Sequence, residues 1–226
     1  MVSGAGETMR KRKTFTIICT AVFIILAVFY FIPSGTLKQF LPDAIVKYRI
    51  AGPLAALFLS GTFLAPWRIT LAMGFSMAGD FMGAYGSFIM QMSFFAMAHV
   101  MLIWFFAGKI RKSPSWKTAI AAATLAAFAL TCIIPHAPAG IIRSGCAVYA
   151  TLICTMLCFA LEQRNLLFAA GAALFLFSDM ILSWNKFVSP VEARKWFIMV
   201  PYYTGQLLIW AGAVRENLRK EMRTLQ

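Results

Sequence analysis

The chain of 226 residues carries 21 Lys and Arg against 8 Asp and Glu, for a formal net charge of +13. Hydrophobic residues make up 61% of it and charged residues 13%, and its mean hydropathy is +0.76. Soluble domains are nearer half apolar and a quarter charged, so the composition excludes an ordinary soluble protein. It predicts an all-α fold, a polytopic bundle of transmembrane helices. Most cations lie beside the ends of apolar segments, so we expect them to meet membrane lipids and expect no nucleic acid as partner.

Apolar stretches of membrane-spanning length recur along the chain, separated by short breaks. They predict eight transmembrane helices in one domain, residues 15–214, with basic cytoplasmic tails at residues 1–14 and 215–226. The first stretch follows basic residues, as a signal peptide would, but its length and the lack of an evident cleavage site favour a retained helix. The predicted spans are Phe15–Ile32, Arg49–Leu64, Trp67–Tyr85, Ser87–Gly108, Thr118–Ile134, Ile141–Leu161, Asn165–Phe187 and Trp196–Val214.

Positive charge orients the predicted bundle. With the N-terminus inside the cell, the inner segments hold 14 of the 21 Lys and Arg. Because Lys and Arg concentrate in cytoplasmic loops, we expect both termini to be cytoplasmic. The short loops are typical of a compact protein of the bacterial inner membrane, and that is the location we expect.

Two carboxylates, Asp80 and Asp179, lie well inside predicted spans. An Asp in that position costs about 2.5 kcal/mol or more on insertion scales, and such groups commonly serve function. With a rise of 1.5 Å per residue, both lie roughly 20 Å from the cytoplasmic ends of their helices. His99 and Gln206 lie about 18 Å and about 15 Å from the outer ends of theirs. The four side chains therefore fall in one layer, which predicts one shared site.

Two carboxyl groups in a medium of low dielectric do not both ionise readily. One then keeps its proton and acts as a general acid, while the other orients or deprotonates water. This division of roles suits hydrolysis of an acid-labile bond. The chain has no nucleophile elbow, phosphate-binding loop or HExxH. With one His in the layer and no suitable Cys, the donors do not favour zinc, and we expect no metal and no other cofactor.

Four short stretches carry most of the polar residues of this layer. They are Ser76-Met-Ala-Gly79-Asp80, Phe95-Ala-Met-Ala98-His99, Gly171-Ala172-x-x-Phe175-x-x-Ser178-Asp179 and Tyr202-Tyr203-x-x-Gln206. In this order they resemble the YhhN-type membrane family, which includes the lysoplasmalogenases. The resemblance covers the third, fourth, seventh and eighth predicted spans. It implies a lysophospholipid substrate, a lysoplasmenyl-ethanolamine or -choline, whose vinyl-ether bond is hydrolysed to a fatty aldehyde and a glycerophospho-head-group product.

The resemblance and the carboxylate chemistry lead to one hypothesis for the site. Asp80 and Asp179 form an acid/base pair, in which one supplies a proton and the other activates water. Polar side chains nearby are expected to position water or to hold the head group, with the phosphate met at the outer rim. The residues expected to bind substrate are His99, Ser178, Asn185, Tyr203 and Gln206.

Two other interpretations of the same residues stay open at this point. A proton-coupled transporter or a lipid-binding membrane protein would use the aspartates to carry protons or to bind a cation. Either Asp alone could also be a hydrogen bonder between packed helices, and Ser178 could bond to a backbone carbonyl one turn back. Release of aldehyde from a lysoplasmalogen separates the hydrolase from the transporter.

Overall fold

The computed structural model describes residues 2–110 and 114–224, and the side chains of these residues apart from 2–6, 8, 9 and 224. Every regular element in this part of the chain is a helix, which confirms the predicted all-α class. The α-helices are α1 (Val2–Phe31), α2 (Ser34–Leu37), α3 (Asp43–Tyr48), α4 (Gly52–Leu64), α5 (Trp67–Tyr85), α6 (Phe88–Ala107), α7 (Trp116–Phe128), α8 (Ile141–Leu161), α9 (Leu166–Phe187) and α10 (Arg194–Thr224).

Seven helical segments of the described chain are long and apolar enough to cross a membrane. The protein is therefore an integral, multi-pass membrane protein. The third predicted span forms helix α5 over the expected residues, but Arg68 and Asp80 lower its apolarity and it is not one of the seven. The seven segments are Arg10–Phe31, Asp43–Leu64, Phe88–Ala107, Trp116–His136, Ile141–Leu161, Leu166–Phe187 and Arg194–Arg223.

The second predicted span begins six residues earlier than expected. Helix α3, a 3-10 turn at Arg49–Ala51 and helix α4 follow one another without a break from Asp43 to Leu64. Pro53 does not interrupt this path, because it lies in the first turn of α4, where its missing N–H would have no intrahelical partner.

The chain divides into two compact units, a first unit of Met1–Phe94 with Trp210–Gln226 and a second unit of Phe95–Ile209. In the first unit, α4 contacts both α1 and α5. Its core contains Leu54 and Leu57 of α4 and Ile69 and Met73 of α5, all fully buried.

The described parts of the two predicted tails continue α1 and α10 as helix, while Met1 and residues 225–226 lie outside the described residues. Arg12 donates to the Glu221 carboxylate at 2.6 Å and to the Phe63 carbonyl at 2.6 Å. Asn217 donates to the Leu64 carbonyl at 3.1 Å. The start of α1 and the end of α10 therefore lie at one end of the first unit. The side of the membrane on which they lie stays a prediction.

In the second unit, α8 contacts α7 and α9, and α9 meets α10 at two glycines. A Cβ atom on Gly171 would lie 2.8 Å from the Gly205 carbonyl oxygen and 2.8 Å from the Ile209 side chain. A Cβ atom on Gly205 would lie 2.7 Å from the Gly171 carbonyl oxygen. Small residues of this kind let two membrane helices approach until their backbones touch. This approach sets how closely the polar side chains of α9 and α10 lie to each other.

We expect Gly171→Ala to lower the midpoint of thermal unfolding in detergent. The added methyl group forces α9 away from α10, and overpacking of this kind costs roughly 1–3 kcal/mol. Gly35→Ala is the matched control, since a Cβ atom there meets nothing within 4 Å. Equal midpoints for the two variants would contradict the close packing.

A carboxylate outside the membrane spans joins the end of α8 to the start of α7. Glu162 accepts from the Thr118 hydroxyl at 2.6 Å and from the Ser115 backbone N–H at 3.0 Å. Ser115 in turn caps α7 by accepting from the Thr118 N–H at 3.4 Å. The bonds from Thr118 and Ser115 lower the pKa of Glu162 below its ordinary value of about 4.5.

We expect Glu162→Gln to be less stable than the wild type at neutral pH and equally stable in acid. A lowered carboxyl pKa in the folded state stabilises the fold fully above the ordinary pKa of about 4.5. That contribution is lost as the pH falls through the lower pKa of the folded state. Thermal midpoints of both proteins between pH 7 and pH 3 measure the difference. A gap that stays constant over this range would show that the charge of Glu162 contributes nothing.

Candidate active site

The seven residues predicted for the site fall in both compact units. Asp80 lies in α5 of the first unit and is 3% exposed. The other six lie in the second unit. The pairing of Asp80 with Asp179 stays a prediction.

In the second unit, Asp179 of α9 is bound by a side chain from α8. The Tyr149 hydroxyl donates a hydrogen bond to the Asp179 carboxylate oxygen Oδ2. A hydrogen bond to a charged acceptor is about twice as strong as one between neutral groups. Both side chains are half-buried, so Asp179 stays accessible to a substrate while Tyr149 holds it in place.

His99 of α6 lies beside this pair, and its side chain is fully buried. Its Nδ1 donates to the Phe95 carbonyl at 2.6 Å, so Nε2 carries a lone pair and acts as an acceptor. Among the described residues Nε2 has no hydrogen-bond partner. The His99 ring lies edge-on to the Tyr149 ring, with 5.2 Å between their centres. Tyr149 therefore touches both His99 and Asp179, and the three side chains form one group, which we call the Tyr149 cluster.

Aromatic rings from three helices pack beside the Tyr149 cluster. The centres of Phe95, Phe175 and Tyr202 lie 5.5–6.1 Å from one another, and Phe175 is also 4.8 Å from the His99 ring. Tyr203 lies next to Tyr202, with 5.3 Å between ring centres. The site residues of α6, α9 and α10 are thus held by a rigid aromatic wall.

Two further predicted residues, Tyr203 and Gln206, are 3% and 0% exposed in the second unit. Buried polar side chains of a membrane helix commonly face other helices or a functional cavity. Their role in binding substrate stays a prediction.

Ser178 makes a structural bond between two helices. Its hydroxyl donates to the Ile198 carbonyl of α10 at 2.9 Å, rather than to a carbonyl of its own helix. This bond falls in the turn before Pro201, which lies inside α10 and weakens its backbone ladder there. A neighbouring hydroxyl is one way in which membrane helices tolerate an internal proline.

Asn185 also makes a structural bond. Its side-chain oxygen accepts from the Val191 backbone N–H at 3.1 Å and so shapes the connection between α9 and α10. The predicted contact of Asn185 with substrate remains untested.

Tyr149 is the residue of the cluster that was not predicted from the sequence. One signal was present in the sequence. Tyr in membrane helices is enriched at the interfaces, whereas Tyr149 lies eight residues into Ile141–Leu161, about 12 Å along the helix. A phenol at that depth needs a hydrogen-bond partner, and Asp179 provides it.

The cluster offers hydrogen-bond acceptors rather than a ligand set for a metal. Among the described residues, no group of three or more His, Cys, Asp and Glu is placed to hold a metal ion. Its acceptors are the Nε2 atom of His99 and the carboxylate of Asp179, which accepts one hydrogen bond from Tyr149, and two such groups suit the orientation of a water molecule.

We expect Tyr149→Phe to destabilise the protein, because Asp179 then loses the donor that pairs it. Loss of a hydrogen bond to a charged group costs roughly 1–3 kcal/mol. The thermal midpoint in detergent measures this loss, with Tyr85→Phe as control, since Tyr85 is 65% exposed. Equal midpoints for the two variants would contradict a bond that holds Asp179.

Comparison with known proteins identifies the chain's relatives. The YhhN family matches residues 43–213, which confirms the resemblance seen in the four sequence stretches. The chain is 28% identical over 184 residues to lysoplasmalogenase TMEM86B of Rattus norvegicus, covering 76% of the chain and 73% of the relative. It is 31% identical over 134 residues to lysoplasmalogenase TMEM86B of Homo sapiens, covering 59% and 57%. No solved structure matches the chain. The chain belongs to the YhhN family.

Proposed function

We propose that the protein is a lysoplasmalogenase-like hydrolase, which cleaves the vinyl-ether bond of a lysoplasmalogen within the membrane. The observation that carries the proposal is the Tyr149 cluster, in which Tyr149 bonds the Asp179 carboxylate and packs edge-on against His99, whose Nε2 has no partner among the described residues. The names of the relatives in rat and human support the substrate. The bacterial inner membrane remains the proposed location, supported by the short loops of the chain.

The reaction consumes one water molecule and releases two products. A general acid protonates the alkene carbon that does not bear oxygen, which leaves an oxocarbenium ion on its neighbour. Water adds to that carbon and loses a proton to a general base. The hydroxyl of the resulting hemiacetal then loses its proton and the glycerol oxygen gains one as the bond between carbon and glycerol oxygen breaks, giving a fatty aldehyde and a glycerophospho-head-group alcohol. An acid and a base are both needed, and the sequence offers two intramembrane carboxyl groups for these roles.

We assign the base to Asp179. One of its oxygens accepts from Tyr149, so the other is available for a proton of the attacking water. The His99 Nε2 lone pair can accept that water's second hydrogen. Water held through both hydrogens directs its oxygen lone pair at the substrate, which is the orientation that addition requires.

We assign the acid to Asp80. A carboxyl group shielded from water is more stable neutral than charged, and Asp80 is 3% exposed in the first unit. A neutral carboxyl carries the proton that the alkene carbon takes up. The assignment rests on this burial and on the position of Asp80 well inside its predicted span.

We expect Asp179→Asn and Asp80→Asn each to lower kcat/KM for lysoplasmalogen by roughly 100-fold or more, the usual weight of a general acid or base. Aldehyde release from purified protein is the measurement. Asp43→Asn is the matched control, since the Asp43 carboxylate is exposed and lies 3.2 Å from the Lys38 ammonium. The control is expected to keep wild-type turnover.

Near-normal turnover in either aspartate variant would refute the acid/base pair. Two results together would support the transporter instead. Vesicles containing the wild-type protein would take up solute in response to a pH gradient, and lysoplasmalogen would release no aldehyde.

A further inference from the structure

Arg49 is an arginine anchored inside the apolar segment Asp43–Leu64 of the first unit. Its Nη2 donates to the Ile32 carbonyl at 2.9 Å and to the Ser34 hydroxyl at 3.2 Å. The carbon of its guanidinium group lies 5.7 Å from the centre of the Tyr30 ring. One side of the guanidinium is therefore tied to the end of α1 and its position is set by the fold.

The rest of the guanidinium is buried and unpaired. Nε and Nη1 are shielded from solvent and have no acceptor among the described residues. A guanidinium stays charged in proteins, so both nitrogens always carry donors. Buried charged donors without acceptors are costly and rare in native proteins. The missing acceptor is best supplied by an anion from outside the chain.

Arg49 and Asp80, one of the proposed catalytic carboxyl groups, belong to the same unit. In a lysoplasmalogen, the three glycerol carbons separate the phosphate oxygen from the vinyl-ether oxygen. A phosphate bound at Arg49 would therefore place the vinyl ether only a few bonds from that side chain.

An apolar cleft lies next to Arg49 along the chain. It has a volume of about 350 Å³ and lies between Ala51–Ala55 and Met77–Met82. Its lining exposes no polar surface, so it suits a hydrocarbon chain. A cation and an apolar cleft side by side match the two ends of a lysophospholipid.

We propose that Arg49 binds the phosphate of the lysophospholipid substrate, and that the adjoining cleft takes part of its hydrocarbon chain. Phosphate oxygens are strong acceptors for guanidinium donors. This inference rests on the proposed function for the identity of the lipid.

Equilibrium binding to the purified full-length protein tests the proposal. The probes are an alkyl-ether lysophosphatidylethanolamine, which has no vinyl ether to hydrolyse, and a 1-alkylglycerol of the same chain length without phosphate. The wild type is expected to prefer the phospholipid. Arg49→Gln is expected to reduce that preference by about tenfold or more, the size of one lost charge-assisted contact. A folded Arg49→Gln that keeps the wild-type preference overturns the proposal.

Lys47→Gln is the matched control for charge. Lys47 is an exposed cation two residues away, 5.3 Å from the Tyr48 ring and 5.8 Å from the Tyr85 ring. We expect it to keep the preference, and an equal loss in both variants would mean that surface charge alone attracts the lipid. Ser34→Ala removes one acceptor of Nη2 and leaves Nε and Nη1 unchanged, so it too is expected to keep the preference. If Ser34→Ala lost the preference for the phospholipid, that result would contradict a phosphate contact through Nε and Nη1.

Because Arg49 also holds the end of α1, thermal unfolding checks each variant. If Arg49→Gln does not fold, Arg49→Lys replaces it, since it keeps the charge and loses the extra N–H groups. A fall in preference of about threefold or more then supports the proposal, and no change overturns it.

A third binding measurement, with inorganic phosphate as the probe, distinguishes a lipid site from a site for free phosphate. If the protein binds inorganic phosphate through Arg49 and shows no preference between the two lipids, the lipid assignment is overturned. Failure of the proposed function has a different signature. Lysoplasmalogen then releases no aldehyde, while Arg49→Gln still weakens binding of the phospholipid.

Discussion

The bilayer supplies no hydrogen-bond partners, so each polar side chain within it must pair with another group of the protein or with a bound ligand. This constraint explains the polar contacts of the second unit. Asp179 is paired by Tyr149, and Ser178 by a carbonyl in the turn before a proline. Among the described residues, His99 Nε2 and two nitrogens of Arg49 are buried without a partner, and we propose that ligands pair with them. Water completes the first and a phosphate completes the second in the function that we propose.

Close backbone packing allows these contacts to form. Gly171 and Gly205 let α9 and α10 approach until carbonyl oxygens lie where a side chain would otherwise begin. The aromatic rings of Phe95, Phe175 and Tyr202 then fill the space between α6, α9 and α10. A rigid apolar wall of this kind keeps the Tyr149 cluster in one geometry, which is a requirement for positioning water.

Much of the fold could be predicted because hydropathy acts locally. The spans from Ile141 to Leu161 and from Trp67 to Tyr85 form helices over the expected residues. The second span was predicted too short, because its first turns, from Asp43, carry charged residues that a hydropathy pattern assigns to a loop. The polar residues of four short stretches were recognised from the YhhN pattern, and their roles in the candidate site stay predictions. Tyr149 and Arg49, which we add to the candidate site from the structure, lie outside those stretches.

By itself, the sequence determined that the chain is a helical membrane protein, where most of its helices run, and how far along its own helix each of Asp80, His99 and Asp179 lies. These properties follow from the composition of each segment and from the rise of an α-helix, and they need no knowledge of neighbours. Only the tertiary structure decided which side chains meet. The direction in which a residue faces depends on how each helix is rotated and packed, and this is set by contacts between distant segments such as Gly171 with Gly205. For that reason the bond from Tyr149 to Asp179 and the unpaired edge of Arg49 came from the fold alone.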